Sequence, residues 1–252
     1  MTGVAHEQLP SDPQVAGWSD AVRVGRDERA EQRHPVRRAA SVVAVAYLVL
    51  TGVMLTIGFL LTDVLDRSVG RWDEHVNETF VHDRAGTWNA ITKVATSAMN
   101  TLPVVVVVVL LVGAFAWRRK WQEAGIVAIA ITLEITVFLS TTFTVGRPRP
   151  AVPRLNATPS TSSFPSGHTA AATVLCVAVA LIVSRHAHGT SARIAAWTIA
   201  AVFITAVGVA RVYRGLHHPT DVAAGVLLGV ACVAAAVVTV RAASTEATDR
   251  AP

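Results

Sequence analysis

The sequence predicts an all-α fold, a polytopic membrane bundle of six transmembrane helices. Three observations predict it. Of the 252 residues, 52% are hydrophobic and the mean hydropathy is positive, too apolar for an ordinary soluble domain. Six apolar segments, residues 39–61, 102–117, 124–145, 168–184, 192–210 and 221–240, approach the length of about 20 residues that crosses a bilayer core of about 30 Å. Polar loops separate them, and none shows the alternation over about 10 residues that a barrel strand would carry.

Residues 1–38 are polar and charged, with no apolar stretch of the kind a cleavable signal peptide needs, and read as a disordered cytoplasmic tail. The six spans and their loops, residues 39–241, form one domain, and residues 242–252 read as a second cytoplasmic tail. The longest loop, 62–101, places Val76 four residues before Phe80 and repeats Trp88, Ile91, Ala95 and Met99 at helical spacing. One or two amphipathic helices are expected there, on the outer membrane surface or over the site. Span 124–145 contains Glu134, the one acid deep in a span, expected in a structural, hydrogen-bonded role. The last span carries Gly225 and Gly229, a small-xxx-small pair that invites close approach by another helix. Cys176 and Cys232 lie inside apolar segments and read as small buried hydrophobes.

The net charge of +5 does not point to a nucleic-acid partner, because of where the charge lies. Thirteen of the 22 Lys and Arg residues fall before the first span, after the second, around the fourth loop and after the last span. Nine fall on the other side. The positive-inside rule then puts both termini in the cytoplasm and the remaining loops on the outer face of the cell's inner (plasma) membrane.

Those outer loops carry three runs with chemistry. The first is Gly146-Arg147-Pro148-Arg149-Pro150, at the end of the third segment. Arginine presents a planar fork of donors that matches phosphate oxygens and stays charged at any working pH. The second is Pro165-Ser166-Gly167-His168, which opens the fourth segment. A helix N-terminus offers free N–H groups and positive potential to an anion. Gly167 allows close backbone approach, and Ser166 is placed to cap the helix and donate to an oxygen. The third is Arg211, then His217 and Asp221. Pro219 suits the first helical position, so His217 precedes the last span and Asp221 lies in its first turn. A carboxylate four residues after an imidazole is placed to orient it, as in nucleophile–base–orienter groups. Two histidines in different surroundings suit two roles, a neutral nucleophile and a protonated acid. No metal site and no other cofactor is expected, since the outer side shows no cluster with metal-ligand spacing.

The three runs resemble the motifs of the type 2 phosphatidic acid phosphatase superfamily, whose bacterial members include undecaprenyl pyrophosphate phosphatases. The resemblance spans residues 142–221 and extends to the six spans. It implies a metal-independent membrane phosphatase acting on a lipid phosphate through a phosphohistidine. Carried over by position, His217 is the nucleophile, Asp221 its partner and His168 the acid, while Arg149, Ser166, Gly167 and Arg211 bind phosphate. The sequence departs from the pattern at Thr142, where the family has a lysine, and at Ala210, where it has a serine. Arg147 is expected to substitute for the missing lysine as a phosphate holder. The expected substrate is a polyprenyl pyrophosphate or a phosphatidate-like lipid, with membrane lipids the other partners. A phosphotransferase on the same scaffold, or a non-catalytic lipid-binding or transport protein, stays open at this point.

Overall fold

A computed structural model describes residues 13–157 and 161–248. All regular structure among these residues is helical. The order is α1 (Pro13–Phe59), α2 (Arg71–His82), α3 (Gly86–Ser97), α4 (Thr101–Trp117), α5 (Trp121–Val145), α6 (Gly167–His186), α7 (Thr190–Tyr213) and α8 (Pro219–Thr248). Two π-helical stretches, Leu60–Val64 and Asp66–Gly70, lead from α1 into α2. Helix α1 starts at Pro13, inside the segment read as a disordered tail, where Ala, Arg and Glu, all good helix formers, are frequent. At the other end α8 runs to Thr248, past the expected limit of the last span. Residues 1–12 and 249–252 of the two expected tails lie outside the described residues.

The chain is a multi-pass membrane protein. Five helices are long and apolar enough to cross a bilayer: α1 over Val36–Val64, α5, α6, α7, and α8 over Pro219–Ser244. The expected sixth is met when α3 and α4, bent by 48° at their junction, are taken as one span. Alone, the 17 residues of α4 rise only about 26 Å. Large apolar side chains such as Leu48, Leu102, Leu110, Phe143 and Ile199 face outward, as lipid contact requires. The core gathers Met54, Ile126, Leu133, Val137, Val174, Val207 and Leu228.

Helix α8 packs against α1, α5 and α6. Its contact with α6 explains the glycine pair. A Cβ on Gly225 would meet the Ser166 carbonyl oxygen at 2.6 Å, and one on Gly229 would meet Thr173 Cβ at 2.5 Å. The small-xxx-small seam is therefore internal. It draws the first turns of α6 and α8 together, where the Ser166 N–H donates to the Asp221 carbonyl at 3.0 Å. Glu134 is buried in α5, eleven residues before Val145 and about 16 Å from that end.

Residues 62–101, expected as a loop with amphipathic helices, contain α2 and α3, as the helical spacing predicts. The face turned to the bundle is polar, however. Asp73 and Asn77 of α2 and Thr92 and Thr96 of α3 are buried, while Trp72, Trp88, Ile91 and Val94 are exposed. Met99 is buried, and Phe80 meets Tyr213 edge-on, with ring centroids 6.2 Å apart. Two arginines clamp the pair of helices. Arg84 donates to the Tyr213 and Pro153 carbonyls, and Arg214 donates to the Asn89 carbonyl and the Thr92 hydroxyl.

Candidate active site

Three short segments at one end of the bundle build the site. Gly146 ends α5 in the left-handed region (φ 65°), which lets the chain turn sharply into Arg147. Residues Ser162 and Ser163 then zip back onto that turn. The Arg147 N–H donates to the Ser162 hydroxyl at 3.0 Å, the Ser163 N–H to the Arg147 carbonyl at 2.9 Å, and the Ser163 hydroxyl to the Pro148 carbonyl at 2.8 Å. The first two runs become one unit. The third joins through α8 and through Arg149, whose Nη1 donates to the Leu216 carbonyl at 2.7 Å.

His217 lies at the centre and is 4% exposed. Its Nδ1 faces the Ser163 carbonyl at 2.6 Å. A carbonyl only accepts, so Nδ1 carries the proton and Nε2 keeps its lone pair. Arg211 Nη2 approaches that Nε2 at 3.2 Å. Burial, helped by the charges of Arg211 and Arg149 and opposed by Asp221, lowers the His217 pKa to about 4, so the ring is neutral near pH 7. The expected orienter is thus corrected in detail. The Ser163 carbonyl sets the tautomer, while Asp221 Oδ2 stands 3.8 Å from Nδ1, beyond hydrogen-bond reach.

Asp221 is fully buried and held by other partners. Its Oδ1 accepts from Arg147 Nη1 at 2.5 Å, and its Oδ2 accepts from the His218 backbone N–H at 2.9 Å and faces His218 Nδ1 at 3.2 Å. Arg147 also donates from Nη2 to Asp73 Oδ2 at 2.8 Å and from Nη1 to the Thr220 hydroxyl at 2.8 Å. Asp73 accepts the Thr220 N–H at 3.1 Å, which caps the start of α8. Arg147 is therefore a clamp between two buried carboxylates, and these ion pairs weigh against the expectation that it replaces the family lysine as a phosphate holder. Its charge is neutralised inside the protein. Thr142, at the lysine position, is buried with its hydroxyl toward the Ser162 carbonyl at 3.4 Å.

Arg149 and Arg211 remain. Each has a buried Nε with no hydrogen-bond partner, and Arg211 feels the charge of Arg149. His168 lies in the field of Arg211, His217 and Arg149, and its Nε2 contacts Asn100 Oδ1 at 3.3 Å. Ser166 is the N-cap residue of α6, but its hydroxyl bonds the Thr169 hydroxyl at 2.9 Å and caps no backbone N–H. Gly167 has a packing reason of its own, since a Cβ there would strike the Phe138 ring at 2.9 Å. So the structure brings His168, Arg149 and Arg211 close to His217, with Arg211 at its Nε2. Asp221 and Arg147 lie behind, and Ser166 and Gly167 lie at the mouth of α6. Among the described residues, no group of three or more His, Cys, Asp or Glu side chains is arranged to hold a metal.

Sequence reasoning missed Asp73, Glu74, His218, Thr220 and Asn100. His218 and Thr220 stood inside the third run as neighbours of the chosen residues. Asp73 and Glu74 offered only one signal, an acidic pair in the first turn of a loop helix.

Fold and site define a polytopic helical membrane protein with a histidine–arginine centre at one end of its bundle. Residues 123–244 match the PAP2 superfamily, in accord with the resemblance read from the three runs. A decaprenylphosphoryl-5-phosphoribose phosphatase of Mycobacterium tuberculosis is 34% identical over 126 residues, covering 48% of this chain and 64% of that protein. The chain thus spans less than two thirds of that relative's length. Among solved structures, a transmembrane PAP2-type phosphatidylglycerolphosphate phosphatase of Bacillus subtilis aligns with a TM-score of 0.63 and 22% identity, over 79% of this chain and 94% of that one. Aquifex aeolicus LpxE aligns with a TM-score of 0.51 and 21% identity, over 65% of this chain and 93% of its own. At these identities the two structures are alike in fold.

Proposed function

We propose that this chain is a metal-independent membrane lipid phosphatase that works through a phosphohistidine on His217. One observation carries the reading. Two arginines with unpartnered, buried Nε atoms, Arg149 and Arg211, lie with His168 close to His217, whose Nε2 lone pair meets only the Arg211 guanidinium. Like charges packed out of water need an anion, and a phosphoryl group supplies it.

In this mechanism the substrate's phosphoryl oxygens take the donors of Arg149 and Arg211 and the N–H groups opening α6. His217 Nε2 attacks phosphorus, forming a P–N bond while the P–O bond to the lipid breaks. His168 gives its proton to the leaving oxygen, then takes one from the water that attacks the phosphohistidine. That second step releases phosphate and restores both histidines. Asp221 stabilises the charge that develops on the His217 ring, and Arg147 holds Asp221 in place.

The substrate class follows from the surroundings and the relative. The site lies at the end of a bundle of membrane helices, and the relative is named for a polyprenyl-linked phosphate. A polyprenyl phosphomonoester or pyrophosphate is preferred over a phosphatidate-like lipid. The positive-inside count supports an outward-facing site in the plasma membrane. The test is phosphate release by the purified protein from a panel of polyprenyl and glycerolipid phosphates, with and without a chelator. Release from a polyprenyl substrate that survives the chelator supports the proposal, and no release from any member refutes it.

A further inference from the structure

Glu74 lies outside the three runs, yet its carboxylate touches two parts of the site. Its Oε1 faces His218 Nε2 at 3.1 Å, and its two oxygens accept the Ala151 N–H at 3.3 and 3.2 Å, at the exit of the first run. On its other side His218 presents Nδ1 and its backbone N–H to Asp221 Oδ2. That oxygen is also the one nearest His217 Nδ1. An imidazole between two carboxylates donates to both only as the imidazolium. The neutral ring turns a lone pair toward one of them. The proton on His218 and the placement of Asp221 are therefore linked.

We propose that Glu74 is a positioning residue, which acts through protonated His218 to fix Asp221 behind the nucleophile. The inference rests on the reading of His217 as nucleophile. Three charged groups face His218: Asp221 from α8, Glu74 from α2, and Arg147 from the segment after α5. A cavity of about 500 Å³, bordered by Asp66, Arg71, His75 and Glu78, also reaches His218 and gives it a route to exchange protons. Burial and Arg147 push the His218 pKa down, but the two carboxylates outweigh them and raise it above the ordinary value. As pH rises through that raised pKa, the ring loses a proton, one carboxylate meets a lone pair, and Asp221 loses a side-chain anchor. Turnover should fall on the basic side, at a pH that Glu74 sets.

The experiment compares wild type with Glu74→Gln, Glu74→Asp and His218→Gln, using dioleoyl phosphatidate and a polyprenyl pyrophosphate in mixed micelles. In Glu74→Gln, kcat should fall about tenfold with KM within about twofold, and the basic limb of kcat should move down by about one pH unit. Glu74→Asp should recover much of the loss. In His218→Gln, which keeps a neutral donor but has no proton to give up, that limb should vanish. Ring ¹⁵N shifts of His218 read the same proton without turnover, so the result stands apart from the proposed activity. A wild type that hydrolyses neither lipid refutes the phosphatase reading. A His218 pKa that Glu74→Gln leaves unchanged, or a basic limb that survives in His218→Gln, overturns the relay whatever the activity.

Discussion

Arg211 Nη2 lies 3.2 Å from His217 Nε2 and so donates into the lone pair that the proposed chemistry uses. In the proposed mechanism the arginine occupies the nucleophilic nitrogen until substrate arrives. The phosphoryl group would then exchange both partners at once, one oxygen taking the guanidinium and phosphorus taking the lone pair. In this mechanism Arg211 keeps the ring oriented before substrate binds and stabilises the transferring group afterwards.

His217→Ala should abolish turnover and leave the bundle folded. Arg211→Ala should lower kcat/KM at least 100-fold, about 2.7 kcal/mol of transition-state stabilisation. His168→Ala should slow lipids with poor leaving groups most. The check is rapid quench with ³²P-labelled substrate: acid-labile label should appear on the wild type and be missing from His217→Ala. Label that persists on the alanine variant rules out this nucleophile.

Arg147→Ala should act mainly on the fold, since it leaves two buried carboxylates without their cation, a loss of about 3–5 kcal/mol. Asp73→Asn should cost less, and the double variant less than the sum of the two. Thr142→Lys should rescue neither, because Arg147 is a clamp and not a lost phosphate ligand. Thermal unfolding in detergent measures all four. Recovery of stability or rate by Thr142→Lys in the Arg147→Ala background would return Arg147 to the phosphate.

Gly225→Ala should lower both stability and kcat, because the new methyl group meets the Ser166 carbonyl and wedges α6 away from α8. Gly52→Ala is the control, with nothing within 4 Å of its added carbon. Equal melting temperatures for the two variants would show that the seam tolerates opening.

The pH dependence follows from His217, whose folded pKa is lowered to about 4. Between its ordinary value of 6.5 and about 4, the unfolded chain binds a proton that the folded chain refuses. Stability contributed by the neutral, buried ring is therefore present above pH 6.5 and lost progressively as pH falls through that window. Ring ¹⁵N spectra at pH 5.5 should show His217 neutral with its proton on Nδ1. A ring protonated on both nitrogens at that pH contradicts the assignment.

Orientation is tested by cysteine labelling in intact cells, in a background with Cys176 and Cys232 replaced by alanine. An impermeant reagent should label His82→Cys and not Arg119→Cys. The reverse pattern would put the site on the cytoplasmic side.

Much of this was legible in the sequence. Apolar length located the spans, and the three runs picked out His217, His168, Arg149 and Arg211, which the structure brings together. The rest depends on contacts between residues far apart in the chain, and local patterns do not encode them. Arg147 looks like a second phosphate arginine until Asp73, 74 residues earlier, is seen to neutralise it. The loop helices follow the expected period, but the inward face is polar because partners on α8 and the first run await Asp73 there, while lipid lies outside. Asp221 points to His217 by its i,i+4 spacing, yet the backbone and side chain of His218 reach the same oxygen first.

The Asp73 contacts also carry a meaning for how the chain is made. Asp73 emerges from the ribosome long before its partners, since Arg147 follows 74 residues later and Thr220 follows 147 residues later. At roughly 5–20 residues per second, the acid waits about 7–30 s for the second of them. During that interval α1 can enter the membrane, but the polar face of α2 has nothing to close upon. Biogenesis should therefore finish from its C-terminal end, with α8 as the piece that locks the hairpin. A nascent chain arrested before Thr220 should remain open to protease between α1 and α4.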